Sequence, residues 1–247
     1  MNPYSLDADD VFVNINLNTV MDLPTGRDTV LHYFEQMKKA FPELKNLHTR
    51  EGGDLVLEGD KEQGHYRWVA LEPRRLCSGH VNPETLADAY RQHEIVLEVA
   101  PHLLSVSALD CEALDVMYGF DFSYSGNHDQ LVAEALGLGP SLEGLLDVPD
   151  ARVLHFEPSV TLALDETCRL QCRLSIETRT NAVHVRTGEF PDEQISVYFT
   201  VRQHWGTGVD RTFVESFRRQ REIGEEIVQE KIIPKIVRPL AQAIASR

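Results

Sequence analysis

"DVFVNINLN" (residues 10–18) places Val11, Val13, Ile15 and Leu17 on one parity and Phe12, Asn14, Asn16 and Asn18 on the other. That period of two predicts a strand with one face buried and the other, largely asparagine, left open. The buried face needs cover, and the next segment offers it. After Pro24 and Gly26, residues Val30, Phe34, Met37 and Phe41 recur at helical spacing, and Pro42 ends the run.

Moving outward, "GGDLVLEGD" (52–60) and "HYRWVALEP" (65–73) read as strands joined by a short polar turn, with a weaker strand near "RRLCSG" (74–79). "NPETLADAYRQHEIVLEVAPHLL" (82–104) reads as a helix with Asn82 as N-cap and Pro83 at its first position. Its stripe is Leu86, Tyr90, His93 and Leu97, and Pro101 interrupts or closes it.

The layout then starts again. "DVMYGFDFS" (115–123) sets Val116, Tyr118, Phe120 and Phe122 where the first strand has Val11, Val13, Ile15 and Leu17, and the helix "NHDQLVAEALG" (127–137) follows. Strands are expected in 151–164, 168–180, 182–188 and 194–205, then a helical region from about Asp210 to Ala245. "RQHEIVLEV" (91–99) and "RQREIGEEI" (219–227) share five identities in nine positions. The expectation is an α+β fold: antiparallel sheets with helices packed on one face, and internal duplication of a β-α-β-β-α unit. Residues 1–107 form the first unit. Residues 108–247 form the second, with extra strands and a long C-terminal helix, the two packed as one compact body.

Composition narrows function. The 39 acidic against 24 basic side chains give a net charge of −15, which repels phosphate backbones and disfavours nucleic acid. No apolar run is long enough to span a bilayer, and the first residues lack the basic and apolar regions of a secretory signal, so a cytoplasmic location is expected. Phosphate-loop, dinucleotide, nucleophile-elbow and kinase motifs are all missing from the sequence. No cofactor, metal or catalytic residue is assigned.

Individual candidates read as structural. Cys168 and Cys172 lie four apart on a strand, roughly 13 Å, too far for one zinc or a disulfide, and are expected in the core. The C-x-x-H pair Cys77 and His80 has no evident further ligands. His93 falls on an apolar stripe, and Asn127 with Asp129 suits a helix start.

The remaining candidate is the polar parity of the second sheet. Arg169, Arg173, Arg179, Arg186 and Arg202, with His184 and Tyr198, are expected to project away from the core as a local basic surface. Arginine forks suit carboxylates and phosphates, and tyrosine beside arginine suits protein contacts. The leading expectation is a non-catalytic interaction module that binds another protein or an anionic ligand. It would do so through this arginine-bearing face or through the C-terminal helix, where Ile232, Ile236, Leu240 and Ile244 form a stripe that could also pair two copies as a homodimer. A small-molecule binder is the alternative. Its C-terminal helix would close, as in a helix-grip fold, over an apolar cavity lined by Phe120, Phe122, Phe199 and the 213–227 helix. An enzyme whose site is assembled from distant residues is the third.

Overall fold

The computed structural model describes residues 3–50, 52–145, 147–206 and 211–247. Nine strands form one antiparallel sheet: β1 (Asp10–Thr19), β2 (Asn46–Thr49), β3 (Leu55–Glu58), β4 (Tyr66–Glu72), β5 (Arg75–Val81), β6 (Cys111–Ser123), β7 (Ser159–Ala163), β8 (Leu170–Glu177) and β9 (Gln194–His204), in the order β2-β3-β4-β5-β1-β6-β9-β8-β7. The two strands that echo each other in sequence, β1 and β6, are the central antiparallel pair, with Val13 opposite Tyr118 and Ile15 opposite Val116. From that pair outward each half runs back through its own chain, because β5 pairs with β1 and β9 pairs with β6.

The helices α1 (Arg27–Ala40), α2 (Leu86–Leu103), α3 (His128–Leu136), α5 (Phe213–Ile227) and α6 (Arg238–Ala245) bury one face of the sheet in a single continuous core, and the short α4 (Ala182–Thr187) follows β8. Val11, Val13, Ile15 and Leu17 share that core with Val30, Phe34 and Met37 of α1 and Leu97 of α2, all nearly inaccessible. The two similar segments, 91–99 and 219–227, each place a glutamine against the sheet, although internal duplication is not shown by this. Gln92 of α2 donates to the carbonyls of Trp68 and Gly79, and Gln220 of α5, at the same position of the match, donates to those of Leu114 and Val201. Each buried amide thus docks its helix onto the sheet backbone, where an unpaired polar group would be costly. The C-terminal helix does not break at its prolines. Between α5 and α6 it widens into a π-helical stretch, Val228–Val237, that accommodates Pro234, while Pro239 enters at the start of α6.

Several local expectations are corrected. Residues 182–188 form α4 rather than a strand, because Asn181 caps the amides of Val183 and His184 and Gly188 closes the turn in the left-handed region. The second half therefore has four strands against five in the first, not extra ones, among the described residues. In 151–164 only Ser159–Ala163 is strand. The N-cap of α2 is Thr85, whose Oγ1 accepts from the Asp88 amide, whereas Asn82 adopts φ +47° and its Oδ1 accepts from the Val11 amide, pinning the start of β1. Of the pair expected in the core, Cys168 is exposed at φ +56°, in the turn before β8, and Cys172 is buried. Asp210 lies outside the described residues.

Phe120, Phe122 and Phe199, which the alternative reading sets around an apolar cavity, belong with Phe217 to the core and are at most 3% exposed. Cys77 and His80, three apart on β5, point to opposite faces, and among the described residues no cluster of three or more metal-ligating side chains occurs. No helix among them is long and apolar enough to cross a membrane.

Candidate functional site

The face opposite the helices is the open one, and its side chains follow from strand register. One row crosses the sheet as Tyr66, Val81, Phe12, Gly119, Tyr198, Ser175 and Ser159. The adjacent row reads Glu58, Trp68, Gly79, Asn14, Met117, Thr200, Arg173 and Thr161. An uncovered antiparallel face is ordinarily polar. Here the half nearer β4 is aromatic and the half nearer β7 is hydroxyl-bearing and basic.

Two glycines explain how the rings sit. A Cβ added at Gly119 would collide with Cε2 and Cζ of Phe12, and one at Gly79 with the indole of Trp68. Both rings therefore lie down over the glycine of a neighbouring strand, where no side chain stands in the way. Tyr198 follows Phe12 at 6.1 Å between ring centres, and the Arg50 guanidinium stands 5.9 Å from the Trp68 ring. Asn14, paired with Gly79, is 9% exposed, and its Oδ1 lies over that glycine beside the Trp68 indole, buried and without a hydrogen-bond donor among the described residues.

The predicted arginines are only partly brought together. Arg173, Tyr198 and Arg202 do lie on the open face. Arg202 grips Asp115 with two hydrogen bonds of 2.6 and 2.7 Å, and this carboxylate raises the arginine's pKa. Arg173 is exposed and donates to Ser159 Oγ at 3.2 Å. Arg169 precedes β8, its amide bonded to Asp165. Arg179 follows β8 and pairs with Glu177 at 3.1 Å. His184 and Arg186 stand on α4 and take no part in the sheet face. A single basic patch is therefore not formed.

Sequence reasoning missed the glycine-seated rings, although isolated glycines within strand patterns, Gly79 and Gly119, are a known sign of close approach. It gave Asp129 only a place at a helix start. Beyond any dipole effect, this fully buried carboxylate accepts from the Phe156 amide and from the hydroxyls of Thr178 and Thr180, tying α3 to the chain on either side of β7 and β8.

No protein-family model and no curated protein matches the chain. Two solved structures of alkyldihydroxyacetonephosphate synthase, in P212121 and P1, align at 9% identity with a TM-score of 0.18. The alignments cover 96% of this chain and 44% and 42% of those proteins, so the chain spans less than half their length. At that score the likeness carries no statement about fold or activity.

Proposed function

We propose that this protein is a non-catalytic interaction module whose open sheet face receives a segment of another protein. The observation that carries this reading is the centre of that face, where the rings of Phe12 and Trp68 lie on glycines of neighbouring strands and leave an aromatic surface uncovered by any helix. The half-exposed rings of Trp68 and Tyr198 offer stacking area at little conformational cost, and exposed Arg173 adds a charged contact beside them. The mixed charge of the face argues for a protein partner over nucleic acid, whose phosphates the chain's net charge of −15 repels.

Affinity recovery from cells with three baits tests the reading. The wild type should retain a protein that the double variant Tyr198→Ala/Arg173→Glu loses and that Arg219→Glu, on the exposed side of α5, keeps. Equal recovery by all three baits would refute the sheet-face reading.

A further inference from the structure

A second site lies at the far end of the sheet, where β3, β4 and β5 meet the start of α2. A cavity of about 620 Å³ opens there, within the usual range for small-ligand sites. Its inner wall is built by Arg67, which is half-buried, and His80, which is 5% exposed.

The hydrogen bonds fix the protonation of that wall. Arg67 Nη1 stands 3.1 Å from His80 Nδ1, and a guanidinium can only donate, so Nδ1 must accept and the imidazole proton must sit on Nε2. The two hydrogens of Nη1 are shared among His80 Nδ1, the Asp88 carbonyl and Gln92 Oε1, while Nε donates to Glu43 at 2.6 Å. What remains is Arg67 Nη2 and the Nε2–H of His80. Neither has a hydrogen-bond partner among the described residues. Burial and the adjacent guanidinium hold the His80 pKa down at about 3, so the ring is a fixed donor near neutral pH rather than an acid or base.

The mouth of the cavity has the opposite character. Exposed Glu43, Asp60 and Glu84 stand there against Lys45. A polyanion would be repelled at the entrance, whereas a ligand that is anionic at one end and cationic at the other meets complementary charge throughout. We infer that this cavity binds a small zwitterion of the amino-acid type, its carboxylate on the free N–H groups of Arg67 and His80 and its ammonium toward the acidic rim.

The test is titration of the full chain with free L-amino acids, sodium acetate and inorganic phosphate, followed by the backbone amide NMR signals of Gly59 and Arg67. At least one amino acid should give a saturable shift with Kd at least about tenfold below that of acetate, and phosphate should give none. His80→Gln should abolish saturation. Exposed Glu84→Lys, which leaves the packed interior alone, should weaken amino-acid binding about tenfold without weakening acetate. The inference is overturned if no probe saturates at about 10 mM, if acetate or phosphate binds as tightly as every amino acid, or if Glu84→Lys leaves the preference unchanged.

Discussion

Gly119→Ala is the sharpest probe of the open face. The new methyl would occupy the volume of the Phe12 ring, forcing the ring off its rotamer or the central β1–β6 pair apart. Overpacking of this kind costs about 1–3 kcal/mol, offset by roughly 0.5–1 kcal/mol that alanine gains over glycine within a regular element. A net loss of about 1–2 kcal/mol is expected. In a Phe12→Ala background the collision is gone, so the same substitution should be neutral or stabilising by about 0.5 kcal/mol. The double-mutant cycle, measured by urea unfolding with the slope held constant, should thus show coupling of about 1–2.5 kcal/mol. Additive effects, within about 0.5 kcal/mol, would refute the claim that Phe12 lies on Gly119.

Three further outcomes follow from the structure. Gln220→Ala strips the donor from two buried carbonyls, Leu114 and Val201, and should lower unfolding stability by about 1–3 kcal/mol for each left unsatisfied, whereas alanine at exposed Glu222 should change it by less than about 0.5 kcal/mol. Thr212→Ala removes the capping box with Glu215 at the start of α5 and should cost about 1 kcal/mol, read from denaturant midpoints. The pH dependence of stability should carry the mark of His80 and His93, both held near pKa 3 chiefly by burial. Below about pH 6.5 the unfolded chain binds protons that these folded rings refuse. Stability should therefore fall as pH drops from 6.5 to 4.5, by up to about 1.4 kcal/mol per pH unit for each histidine. His93→Gln should flatten that slope, and an unchanged slope would contradict the assignment.

Much of the fold can be read from periodicity, because a buried face imposes it. The parity of Val11 to Leu17, and the stripes Val30–Met37 and Leu86–Leu97, all predict the side that the structure buries. Where a residue's role depends on a distant partner, pattern alone misleads. Asn82 looks like a helix cap but serves the Val11 amide, and 182–188 alternates like a strand yet is wound into α4 by Asn181 and Gly188. The same limit applies to the candidate site. Parity placed Arg173, Tyr198 and Arg202 on one face, but it could not show that Asp115 holds Arg202, or that Phe12 and Trp68 lie on glycines from adjacent strands. Those facts depend on strand order, which no local pattern encodes. The buried Arg67–His80 contact is likewise a product of β4 pairing with β5 in one register.

Site-directed photo-crosslinking in cells tests the central claim most directly. A photoreactive residue replacing Thr200, on the open face between Met117 and Arg173, should capture a partner protein, while one replacing Arg219 on the exposed side of α5 should not. Capture from Arg219 with none from Thr200 would contradict the account.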